Sequence, residues 1–117
     1  MTKAPFALAA AALMLTACGT SGGTTESGIS LIAEGKLTVC TNPPYAPFEY
    51  EENGKIVGLD ADIAAAIAED LGVTSEMFST SFEGIQSGVA LSSGQCDLAL
   101  SGITITEERK KAIEFSD

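Results

Sequence analysis

Residues 60–79 read DADIAAAIAEDLGVTSEMFS, and the way this stretch divides decides the fold. Asp60 is a residue type that caps helix N-termini, and Asp62 falls in the first turn, where the helix dipole favours an acid. Ile63, Ile67 and Leu71 then recur at i, i+4 and i+8, and Gly72 supplies a stop. Residues 73–79 read as a strand, so the stretch is a helix feeding a strand.

The same alternation extends outward in both directions. Upstream, KLTVCT at 36–41 is an apolar, β-branched run that ends at Asn42, Pro43 and Pro44, where proline cannot donate to a ladder. Residues 48–60 place Asn53 and Gly54 between two β-capable pieces, the signature of a type I′ hairpin. Downstream, Ile85 and Val89 predict a second helix over 82–93 that stops at Gly94, and CDLAL at 96–100 predicts a buried strand. Thr106 is expected to cap a short helix over 107–111, with 112–115 opening another extended piece. Strands alternating with helices imply right-handed crossovers, hence an α/β fold with a mostly parallel sheet and flanking helices. In such sheets ligands sit beyond the carboxyl ends of the strands.

The start of the chain has a different character. Residues 1–18, MTKAPFALAAAALMLTAC, show one lysine, a short apolar run and small residues ending at Cys18, the order of a secretion leader. Residues 15–18, LTAC, resemble the lipobox of bacterial lipoproteins, so residues 1–17 are expected to be a signal peptide and Cys18 the lipidation site. Residues 18–28, mostly Gly, Ser and Thr, read as a flexible spacer, with the folded part beginning near Ile29. An acyl chain on Cys18 would tether the exported protein to the outer face of the cell membrane.

Sixteen acidic residues against six basic ones give a net charge of −10, which makes nucleic acid a poor partner. The chain has no histidine, no cluster with metal-ligand spacing and no phosphate-binding glycine loop, so neither catalysis nor a cofactor or metal is expected.

Three loops leave the carboxyl ends of the expected strands. TNPPYAPF at 41–48 is stiffened by prolines and presents Tyr45; Phe48 reads as core. Phe82 follows the second strand. Ser101, Gly102, Ile103 and Thr104 follow the third, with Arg109, the single arginine of the chain, just beyond. Aromatic faces, hydroxyls, free backbone groups and one guanidinium suit a small ligand with a carboxylate, which a planar guanidinium grips bidentately. The alternative for Arg109 is a surface ion pair with Glu108 or Glu114. Asp60 reads as a helix cap, and Glu49, Glu51 and Glu52 as a solvated hairpin face.

TVCTNPPYAPFEY at 38–50, GKIVGLDADIAAAIAEDLGV at 54–73 and GQCDLALSGITITEERKKAIEFSD at 94–117 together resemble the amino-acid-binding proteins of bacterial ABC importers, extracellular solute-binding family 3. The resemblance implies the first lobe of a periplasmic-binding-protein-like type II fold, spanning 29–117 and incomplete, from a chain that continues into a second lobe. It implies capture of a free amino acid for delivery to an ABC permease. Tyr45 and Phe82 would wall the ligand, the Gly102 carbonyl would accept its ammonium, and Thr104 would add its hydroxyl and N–H. Arg109 would hold the α-carboxylate, with Ser101 a neighbour. Residues 85–94 run slightly longer than the family's usual helix here. Since closure needs two lobes, one lobe alone is expected to bind very weakly. Related bilobal enzymes, sensor ectodomains and a truncated, non-binding product are the alternatives.

Cys40 and Cys96 are expected to be buried thiols. In adjacent parallel strands their offset of three or more residues separates them by about 10 Å, whereas a disulfide needs Cα atoms within about 7 Å.

Overall fold

The computed structural model describes residues 22–116. The expected leader, the lipidation site Cys18 and residues 19–21 lie outside them.

Strand β3 (Lys36–Thr41) is the centre of the architecture. It pairs in parallel with β6 (Thr74–Ser79) along its whole length and with the two-residue β7 (Leu98–Ala99), giving the order β6-β3-β7. Alternation along β3 sends Leu37 and Val39 to one face of the sheet and Cys40 to the other, as the two-residue period of a strand requires. Helix α1 (Leu59–Asp70) covers the first face; α2 (Phe82–Gln86) and α3 (Val89–Ser92) cover the second.

The face that α1 buries differs from the expected one. Ala64 and Ala68 are its fully buried apolar positions, packed on Leu37 and Val39. Ile63 stays 40% exposed, and Ile67 and Leu71 are only partly buried. Alanine lets the helix backbone approach the sheet closely, so the isoleucines move to its flank and line an apolar groove with Leu98 and Ile103. Residue 60 is not the cap: α1 begins after Gly58, and Asp60 is buried inside its first turn.

The second helix is two. Gly88 sits at φ 81°, a conformation that side chains disfavour, and a Cβ there would lie 2.6 Å from the Ala112 carbonyl oxygen. The helix breaks at this point, and residues 112–113 pack close against it.

The hairpin of β4 (Tyr50–Glu52) and β5 (Lys55–Val57) forms as expected, with Asn53 and Gly54 both at positive φ. Part of the stretch read as spacer carries regular structure: β1 (Gly23–Thr24) pairs antiparallel with β2 (Ser30–Leu31). Thr25 is buried there, and its hydroxyl accepts the Ile29 N–H at 3.0 Å, while Leu31 enters the core with Leu37 and Val39. The local turn chemistry and one buried leucine order a segment whose composition alone suggests a linker. Residues 112–115 form no strand: Ala112 still has helical dihedrals at the end of the last turn, and the next three residues carry no regular structure.

Cys40 and Cys96 form a disulfide, with Cα atoms 5.6 Å apart, which corrects the expectation of two thiols. The offset argument assumed that Cys96 lies in the strand. Pairing begins only at Leu98, which faces Val39, and Cys96 joins the buried cluster of Cys40, Ile85 and Ala90 on the α2/α3 face. It reaches Cys40 from the helix layer instead of along the ladder.

Candidate functional site

The carboxyl edge of the sheet is fastened by Asn42, the first residue beyond β3. Its N–H donates to Ser101 Oγ at 3.1 Å and its Nδ2 to the Thr80 carbonyl at 2.8 Å, so one side chain and one amide join the loops that follow all three strands.

Beyond Asn42 the chain folds back on itself. Tyr45 N–H donates to the Glu49 carbonyl (2.6 Å), while the N–H groups of Phe48 and Glu49 donate to the Tyr45 carbonyl (2.9 and 3.0 Å). The rings of Tyr45 and Phe48 pack with centroids 5.0 Å apart, tilted by 40°. Phe48 is partly buried, short of a core position, and Tyr45 is 48% exposed.

The tyrosine ring lies on Gly102. That residue has φ 55°, and a Cβ built on it would fall 2.5 Å from Tyr45 Cε1, so both backbone and space require glycine. Its N–H donates to Asp60 Oδ2 at 2.8 Å. Asp60 therefore anchors the 101–102 turn.

Arg109 is held by three interactions. Thr106 Oγ1 accepts its backbone N–H at 3.1 Å, consistent with the expected cap, ahead of the 3-10 turn Arg109–Lys111. Its Nη1 donates to the Thr104 carbonyl at 2.8 Å, and its guanidinium carbon lies 5.2 Å from the centre of the Phe82 ring, within cation–π range. Among the described residues no carboxylate lies within ion-pair distance of it, whereas the adjacent Lys110 pairs with Glu107 at 2.9 Å. The ion pair of Arg109 with Glu108 or Glu114 is thus not made. Phe82, which stacks on the guanidinium, stands at the start of α2, where the Ser81 hydroxyl accepts the Gly84 N–H at 3.1 Å.

Tyr45, Phe82, Ser101, Gly102, Thr104 and Arg109, the six residues singled out in the sequence, line one cleft of about 440 Å³. Asn42 and Pro44 complete its lining. Sequence reasoning missed Asn42, whose signal was its place at the end of the first strand.

It also misplaced the acid beneath the cleft. Glu49, read as part of a solvated hairpin face, is completely buried, unlike the exposed Glu51 and Glu52. Its Oε1 accepts a short hydrogen bond from the Ser101 hydroxyl. Burial pushes its carboxyl above the ordinary glutamate range; the Ser101 hydroxyl works against this, and the facing Asp60 carboxyl adds to it. Among the described residues no group of three His, Cys, Asp or Glu is placed to hold a metal ion.

A parallel sheet in the order second-first-third strand, with a guanidinium, two aromatic rings and the 101–104 loop gathered at its carboxyl edge, defines an α/β lobe of the type II periplasmic-binding-protein-like class. The chain belongs to the bacterial extracellular solute-binding proteins, family 3, whose pattern matches residues 37–117. It is 45% identical over 103 residues to the arginine-binding extracellular protein ArtP of Bacillus subtilis, a match that covers 88% of this chain and 38% of that protein. Other relatives are named as histidine-binding or L-cystine-binding proteins. Among solved structures, the arginine-bound form of domain 1 from TmArgBP superimposes with a TM-score of 0.66 at 44% identity, covering 71% of this chain and 65% of that one. An ancestral cyclohexadienyl dehydratase superimposes with a TM-score of 0.65 at 37% identity, covering 71% and 34%. The chain therefore spans well under half the length of ArtP, and the similar proteins include both binders and an enzyme ancestor.

Proposed function

We propose that this chain captures a free amino acid with a positively charged side chain, arginine first, as the extracytoplasmic receptor lobe of an ABC importer. The observation that carries this reading is Arg109: it is oriented by Thr104 and Phe82 at the cleft wall and makes no ion pair among the described residues. A guanidinium held this way offers its remaining donors to an α-carboxylate. The Gly102 carbonyl then takes the ligand ammonium, Thr104 adds its hydroxyl, and Tyr45 and Phe82 wall the side chain. Arginine is favoured because ArtP and the TmArgBP domain, among the relatives named above, carry arginine in their names and the exposed Tyr45 ring offers a face to a guanidinium. The arginine-bound single domain of TmArgBP supports binding by one lobe, against the expectation that closure by two is needed for detectable capture.

Calorimetric titration of the chain with L-arginine, L-histidine and L-leucine tests this. Saturable heat with arginine preferred is the expected result, and Arg109→Ala should weaken it by about 1.5 to 3 kcal/mol, the worth of a hydrogen bond to a charged group. No heat with any amino acid, or equal affinity in the variant, rejects the reading. Among the described residues no carboxylate lines the cleft, and the nearest pair, Glu49 and Asp60, is buried beneath it, which favours a binder over an enzyme of the dehydratase kind.

Delivery to a membrane permease and tethering through lipid on Cys18 belong to the same proposal. The intact mass of the native protein tests the tether: a mass beginning at Cys18 and increased by acyl chains is expected, and an unmodified leader excludes it.

A further inference from the structure

Beneath the cleft, two carboxyl groups share one small buried space. Glu49 comes from the loop before β4 and Asp60 from the first turn of α1. Each serves one residue of the same turn: Glu49 Oε1 accepts from the Ser101 hydroxyl, and Asp60 Oδ2 accepts from the Gly102 N–H at 2.8 Å. The Asn42 N–H, donating to Ser101 Oγ, completes the hold on that turn. Two oxygens remain without a partner among the described residues, Glu49 Oε2 and Thr41 Oγ1, both completely buried.

A buried carboxylate oxygen with no donor is costly, and a second anion beside it more so. Among the described residues, the titratable group facing Glu49 is Asp60 from α1; β3 contributes the Thr41 hydroxyl and the turn after β7 the Ser101 hydroxyl, neither charged. Among the described residues no cation pairs with either carboxyl. A proton on Glu49 Oε2 removes both costs at once, because it turns the orphan acceptor into a donor, for which the neighbouring Asp60 carboxyl or Thr41 hydroxyl can accept, while Asp60 remains the acceptor for Gly102.

We propose that Glu49 is a positioning residue for this site: as a neutral acid beside the Asp60 carboxylate, it fixes the 101–102 turn whose groups face the ligand. The inference rests on the proposed binding role of that turn. Loss of the proton brings two anions together under Ser101 and Gly102, and the turn shifts. The folded protein then holds this proton more tightly than the unfolded chain. The stability it contributes is complete at acid pH and is lost as pH rises through the raised folded value.

The first test needs no ligand. In the full chain labelled with carbon-13 and nitrogen-15, the Glu49 side-chain carboxyl carbon should titrate above the ordinary glutamate range, and the Gly102 amide should move with the same midpoint. In Glu49→Gln, which keeps the shape and supplies a permanent donor, the Gly102 amide should stay at its acid-limit position throughout. A Glu49 carbon that reads as carboxylate in mild acid, or a Gly102 titration that persists in Glu49→Gln, overturns the proposal. Calorimetry with L-arginine reads the consequence. Affinity should weaken by up to about tenfold per pH unit above the Glu49 midpoint in the wild type and stay level in Glu49→Gln; an unaltered pH profile in that variant overturns the positioning role. If the wild type binds no amino acid at any pH, the proposed function fails, and the nuclear magnetic resonance titration alone decides the state of Glu49 and its hold on the turn.

Discussion

At the end of the sheet where the strands enter, Asp97 and Lys36 are both matched by partners. Asp97 accepts the N–H groups of Ile32 and Thr38 at 2.9 and 2.8 Å, its own N–H donates to the Thr38 carbonyl, and Lys36 pairs with Glu76 at 3.0 Å. At the end where the strands leave, Arg109 has no carboxylate among the described residues, and Glu49 Oε2 and Thr41 Oγ1 have no hydrogen-bond partner there. The two ends lie on the same three strands, so packing does not explain the difference. Matched groups add stability where they are made, and unmatched ones cost it unless something else is to meet them. The contrast separates the scaffold from the site.

Three measurements sharpen or break this contrast. The largest effect should come from the covalent link between the ends, since Cys96 precedes Asp97 and Cys40 precedes Thr41. Closing 56 residues, the disulfide is expected to contribute about 4 kcal/mol, so urea denaturation of a Cys40→Ala, Cys96→Ala double variant should show a loss of that order. Intact-mass alkylation should need reductant before either thiol reacts. Next, Asp97→Ala leaves two backbone N–H groups without their charged acceptor and should cost about 2 to 3 kcal/mol in the same assay, with arginine affinity largely kept in the folded fraction. A loss of binding with no loss of stability would reverse the assignment of that end to scaffold. The smallest effect belongs to Lys36→Ala, because both partners of its ion pair are more than half exposed; its cost should stay under about 1 kcal/mol and shrink in salt.

The βαβ order, the type I′ hairpin, the Thr106 cap and the convergence of three loops were legible because each depends on local periodicity or turn chemistry. Arg109 and its neighbours were legible for another reason: a parallel sheet brings its carboxyl ends to one edge whatever the details of packing. What escaped depends on tertiary surroundings. Glu49 looks the same in sequence as Glu51 and Glu52, and only the return of the 101–102 turn over it makes it a buried acid. Asp60 has the residue type and position of a cap, yet the helix opens two residues earlier, with Gly58 as its N-cap, and Asp60 is drawn inward to Gly102. The isoleucine stripe of α1 pointed to the wrong face because alanines allow closer packing than isoleucines do. The disulfide escaped because ladder offset describes distance along a strand, whereas Cys96 approaches across a sheet face.

That cross-link has a practical consequence for a cleaved chain. Between its two sulfurs run β4, β5, α1, β6, α2 and α3, the greater part of the described residues. A protease that cuts any exposed loop in this interval, such as the one at Gly72, leaves both pieces joined. The nicked molecule migrates as one band on a gel without reductant and as two with it, and Asn42 and the 101–102 turn remain on opposite sides of a bond that the cut does not touch.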